Sequence, residues 1–160
     1  MKKLIAALAM AFATTLCTPA QTISKPYNET INPIEQIDSA VAVANKTGRY
    51  VMCQLGGNWC RWCIMFNNFV RNDSELSSVI DSNYVFIHVN YVRNKELSRM
   101  VAQRLGRADR FGFPVLVILR PDGSVLHIQD SALLEEGEGY NRSKVLTFLN
   151  RWTPAAVEGK

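Results

Sequence analysis

Three short apolar runs limit what this chain can fold into. Residues 50–55 read YVMCQL, 84–91 read YVFIHVNY and 115–119 read VLVIL. Each is short and mostly apolar, so each is expected to be a buried strand. Helical patterns separate them. Asn32-Pro33-Ile34-Glu35 is a helix start: Asn caps, Pro takes the first position and Glu the third. Ile34, Ile37, Val41 and Ala44 follow at helical spacing, and Lys46-Thr47-Gly48 ends the run. Gly56-Gly57-Asn58 breaks the first strand, and a helix is expected from Cys60 towards Val70. Asp73-Ser74 restarts a short helical piece. Residues 95–105 form another helix, capped by Asn94, with Leu97, Met100, Val101 and Leu105 on one face. Arg120-Pro121-Asp122-Gly123 is a hairpin turn between residues 115–119 and 125–129. A last helix from about Ser143 carries Val145, Leu146, Phe148 and Leu149 to Trp152. Residues 21–32 read as a loose polar lead-in and 106–113 as a basic loop.

This order, α-β-α-β-α followed by a hairpin and a helix, predicts an α/β protein. Its mixed central sheet would hold a parallel pair and an antiparallel pair, with helices on both faces. No internal repeat or linker divides the chain, and 48% apolar residues suffice for a core. The first residues read differently. Lys2 and Lys3 precede an uncharged run over residues 4–16, and Thr18-Pro19-Ala20 puts small residues before a cut at Gln21. That is a signal-peptide pattern, with a run shorter than the ~20 residues of a spanning helix. The expected division is a signal peptide over residues 1–20 and one domain over 21–160, its core at about 34–152. Lipid attachment at Cys17 is the rival, disfavoured by the bulky Leu16 before it. Cleavage removes two of the eighteen basic residues and none of the fourteen acids, leaving a net charge of 16 − 14 = +2. So weak a balance, with no basic run, gives no case for nucleic acid.

Cys53, Cys60 and Cys63 remain after cleavage. Structural disulfides usually staple distant segments, whereas Cys60 and Cys63 sit three apart, as a redox pair does. They fall where a strand gives way to a helix. A helix N-terminus presents unpaired N–H groups and about half a positive charge, which favours an anion. A thiolate at Cys60 would be that anion, its pKa drawn below the free value of about 8.5, with Arg61 adding positive charge beside it. Cys63, one turn on, is placed to attack a mixed disulfide. The competing reading is half of a zinc site, but the remaining candidate ligands are Cys53, His88 and His127, short of the usual set. Cys53, midway along a buried strand, is expected to be an inert apolar side chain.

Strand, Trp59-Cys60-Arg61-Trp62-Cys63, helix, strand, helix, then Phe113-Pro114 before an apolar strand together resemble the thioredoxin superfamily, over about Ile34 to Trp152. The motif is most similar to exported bacterial members with a WCxWC site and to the periplasmic domain of the disulfide-interchange electron transporter. The resemblance implies a thioredoxin-like three-layer fold and a periplasmic thiol–disulfide oxidoreductase, reductase or isomerase in leaning. It implies no cofactor and no metal. Disulfide-containing exported proteins would be its partners, with a membrane-linked electron donor. Cys60 would be the nucleophile and Cys63 the resolving thiol. Trp59, Arg61 and Trp62 belong to the motif, and Trp62 would shield Cys63 or touch the partner. Phe113–Pro114 would be a cis bond lying against the disulfide, with the Phe113 backbone pairing to substrate as an added strand. One departure stands out. The family often has a buried carboxylate six residues before the first cysteine, where this chain has Gln54, and His88 aligns with the family's lysine. Gln54 and His88 would share a proton relay with water, or His88 would be a hydrogen-bonded core histidine. A non-catalytic binding module and a metal carrier are the alternative functions.

Overall fold

The structure is a computed structural model describing residues 25–159, so the expected signal peptide and Cys17 lie outside the described residues. The elements in chain order are α1 (Pro33–Thr47), β1 (Tyr50–Gly56), α2 (Arg61–Asn72), α3 (Ser74–Asn83), β2 (Tyr84–Asn90), α4 (Glu96–Arg104), β3 (Val115–Leu119), β4 (Val125–Asp130), β5 (Glu135–Glu136), β6 (Gly139–Tyr140), α5 (Arg142–Arg151) and α6 (Pro154–Glu158). The sheet order is β2-β1-β3-β4, with β1 parallel to β2, antiparallel to β3, and β3 antiparallel to β4.

Successive side chains of a strand point to opposite faces, so the central strands feed two cores. Tyr50 and Met52 of β1 and Leu116 and Ile118 of β3 pack with Phe66, Ile80 and Phe148 from α2, α3 and α5. Val51, Cys53 and Leu55, with Val115, Val117 and Leu119, pack with Ile37 and Ala44 of α1 and Val101 of α4. The result is three layers, helices on both faces of a mixed sheet.

Local chemistry sets the helix ends. Asn32 Oδ1 accepts from the Ile34 N–H at 3.0 Å, Pro33 opens α1, and Gly48 closes it at φ 68°. Asp73 separates α2 from α3 and accepts from the N–H groups of Glu75 and Leu76, both at 3.0 Å. Arg142 of α5 reaches the same carboxylate at 2.6 Å, tying three helices together and holding that carboxyl below its ordinary range.

Three local expectations need correction. Asn94 does not cap α4: it turns at φ 60°, a conformation Asn tolerates, and Lys95 takes the cap position without a side-chain bond. The loop over residues 106–113 contains a 3₁₀ turn at Ala108–Phe111. The lead-in is not loose where it is described. Tyr27 is 2% exposed, and Asn58 holds its backbone by two bonds, accepting from the Tyr27 N–H at 3.2 Å and donating to its carbonyl at 2.9 Å. The small β5–β6 hairpin and α6 are additions to the expected order.

Candidate active site

β1 delivers the chain to Gly56, a three-residue loop follows, and α2 begins at Arg61 with Cys60 in the cap position. The Cys60 sulfur accepts the Cys63 N–H at 3.2 Å, so one of the helix's free N–H groups already points at it. The two sulfurs form a disulfide, 2.19 Å long, with Cα atoms 5.2 Å apart. Their environments differ. Cys60 keeps 7% exposure, while Cys63 has none.

Aromatic side chains surround the pair. Trp59 is 53% exposed, anchored by its indole N–H to the Tyr91 carbonyl at 3.0 Å and set edge-on to Phe113 at 5.4 Å between centroids. Phe113 packs in turn on Tyr91. The Phe113–Pro114 bond is cis, Pro114 is buried, and Phe113 packs against the cluster of Tyr27, Cys60 and Cys63. Trp62 turns inward, edge-on to Tyr140, whose hydroxyl donates to the Trp62 carbonyl at 3.2 Å. Arg61 is exposed at the start of α2. A shallow pocket of about 240 Å³ beside Trp59 is lined by Val92 and Arg93. A larger hollow of about 460 Å³, against β4 and α5, shares no residue with the disulfide site and has no evident part in its chemistry.

Gln54 and His88 face each other in the β1–β2 register, but their surroundings separate them. Gln54 Nε2 donates to the Cys63 carbonyl and to the Tyr27 hydroxyl, both at 2.8 Å. Its Oε1 is buried without a hydrogen-bond partner among the described residues, as is His88 Nε2. Burial, then the positive Arg71, pushes the His88 imidazole down to about 4. It is therefore neutral at neutral pH and meets Tyr27 edge-on at 5.3 Å between centroids.

Tyr27 is the site residue that the sequence pattern does not reveal. Gly56 explains why it fits. A Cβ there would fall 2.4 Å from Cys63 Sγ and 2.8 Å from the Tyr27 hydroxyl, so this backbone must lack a side chain. The sequence signal was a lone tyrosine in a polar stretch, which has no periodicity to mark it.

Cys53 lies in the core on the other face of the sheet, fully buried, its thiol pushed up to about 12 by burial. Among the described residues, no group of three or more His, Cys, Asp or Glu side chains could hold a metal ion, and no helix is long and apolar enough to cross a membrane.

A three-layer α/β fold that closes a disulfide between a strand's end and the first turn of a helix defines a thiol–disulfide oxidoreductase. The chain belongs to the thioredoxin-like family, whose model matches residues 32–121, more than half of it. Solved structures agree in fold. A disulphide isomerase from Xylella fastidiosa Temecula1 superposes with a TM-score of 0.68 at 19% identity, covering 81% of this chain and 98% of that one. A thioredoxin from Thermus thermophilus gives 0.55 at 21% identity, covering 77% and 88%. The oxidised C-terminal domain of DsbD from Neisseria meningitidis gives 0.54 at 18% identity, covering 74% and 94%. No curated protein matches the sequence.

Proposed function

We propose that this chain is an exported thiol–disulfide oxidoreductase of the periplasm, acting on protein disulfides in the reductase or isomerase direction. The observation that carries the reading is the asymmetry of the sulfurs: Cys60 meets solvent at a helix N-terminus and Cys63 is sealed behind it. In the reduced enzyme, Cys60 thiolate attacks a substrate disulfide, forming a mixed disulfide and expelling one substrate thiolate. Cys63 then attacks the Cys60 sulfur, the enzyme disulfide closes, and the second substrate thiolate leaves with the electron pair. Phe113 and Pro114 would hold the incoming strand, and exposed Trp59 and Arg61 would border it. Tyr27 touches both Gln54 and His88, the residues from which a proton relay is expected.

Residues 1–20 support export, and the periplasmic setting supplies a membrane-linked donor to re-reduce the pair. The leaning towards reduction or isomerisation rests on the motif and on the disulphide isomerase among the neighbours. Arg61 and the helix N-terminus pull the other way, since a stabilised thiolate makes a pair more oxidising. Insulin reduction under dithiothreitol tests the activity: wild type accelerates it and Cys60→Ser abolishes the acceleration. A Cys63→Ser variant should accumulate mixed disulfides with exported proteins. A wild type with no effect on insulin, and no trapped partners, would return the protein to a binding module.

A further inference from the structure

The second cysteine of such a pair must act as a thiolate although it is buried, and Gln54, which touches its carbonyl, cannot ionise. A hydroxyl close to its sulfur comes from the residues ahead of α1. Residues ahead of α1 cross the loop that carries the cysteines, and Asn58 clamps them there through both the N–H and the carbonyl of Tyr27. Asn58 also donates to Glu29 at 2.8 Å, so the strap is held at more than one point.

The clamp sets where the Tyr27 side chain goes. Its hydroxyl and the Cys63 sulfur lie 2.8 Å and 2.4 Å from one point above Gly56, so their separation cannot exceed the sum of the two. Hydrogen-bond bookkeeping then orients the hydroxyl. The Cys63 carbonyl can only accept, so the Gln54 amide nitrogen must face it, and the same nitrogen donates to the Tyr27 oxygen. Tyr27 is thus an acceptor from Gln54, and no acceptor for its own O–H is found among the described residues. Burial pushes its phenol well above the ordinary range, so it stays protonated wherever the enzyme works.

We propose that Tyr27 is the hydrogen-bond donor that stabilises the Cys63 sulfur as a thiolate when it ionises to resolve the mixed disulfide. The proposal rests on the oxidoreductase reading and deepens it. In the resolving step the Cys63–Cys60 sulfur bond forms and the bond from Cys60 to substrate sulfur breaks. The substrate sulfur takes the electron pair and leaves as a thiolate, and the proton that Cys63 lost to water when it ionised is returned from water. Tyr27 keeps its own proton throughout and contributes by lowering the cost of the buried anion. Its reach to that sulfur depends on Gly56 having no side chain and on Asn58 holding the strap.

The test follows the two thiols in reduced protein carrying ¹³C-labelled cysteine, titrated by NMR in wild type and Tyr27→Phe. Loss of the phenol oxygen should raise the Cys63 titration and lower its thiolate fraction at neutral pH about tenfold, the scale of one charge-assisted hydrogen bond. Cys60 should move less. Release of substrate thiol from a preformed Cys60 mixed disulfide should slow by a similar factor. Coincident Cys63 titrations in the two proteins overturn the proposal. If Tyr27→Phe does not fold, Asn58→Ala loosens the same strap: a smaller rise in the same direction supports the proposal and no rise overturns it. The titration needs no substrate, so it separates the two claims. A Tyr27-dependent Cys63 in a protein that never reduces insulin would sink the function and leave the hydrogen bond standing. Coincident titrations in an active enzyme would do the reverse.

Discussion

Gln54 and His88 are partners in register, yet Gln54 alone of the two bonds to a cysteine's backbone. His88 instead packs between the rings of Tyr27 and Phe86. Its imidazole should register in stability rather than in sulfur chemistry. In the unfolded chain it takes a proton near 6.5; folded, it resists until about 4. A depressed folded value means that the stability linked to this group is fully present above 6.5 and is lost as pH falls towards 4. Urea denaturation of His88→Phe across that window should give a flatter pH dependence than wild type. An equally steep curve in the variant would place the acid sensitivity elsewhere. At this scale Cys60 and Cys63 were legible because their residue types and spacing carry the chemistry, whereas Phe113-Pro114 was legible only through the family resemblance. Tyr27 was not, because its neighbours in space are distant in sequence and only the folded β1 loop brings them together.

The helices and strands were legible wherever period and cap agreed. α1 is the cleanest case, with Asn32, Pro33 and Gly48 each doing what its chemistry favours. Asn32→Ala removes the oxygen that satisfies the Ile34 N–H and should lower stability by about 1 kcal/mol. The urea midpoint should fall with an unchanged slope, and an unchanged midpoint would mean that water replaces the cap fully. Asn94 misled for a physical reason: the residue type that caps helices also tolerates a left-handed turn, and position alone does not separate the two uses. The β5–β6 hairpin has strands of two residues each, too short to carry an alternation. Which residues of β1 and β2 stand opposite one another was not readable at all, since parallel register is set by the packing of helices between them.

Across the whole molecule, the sheet keeps Cys53 and the disulfide on different sides. Cys53 belongs to the core with α1 and α4, and the pair to the cluster with Tyr27. With no exposure and a thiol pushed up to about 12, Cys53 should be silent to a thiol reagent such as DTNB in the folded, oxidised protein. It should become reactive at the rate of global unfolding, measured with increasing denaturant. Reaction at a rate independent of denaturant would reveal a local opening of β1. A centre that is opened and closed repeatedly is exposed to mispairing whenever a third sulfur can reach it. Here the central sheet acts as a bulkhead: however often the pair turns over, the spare thiol cannot join the exchange without the protein coming apart first.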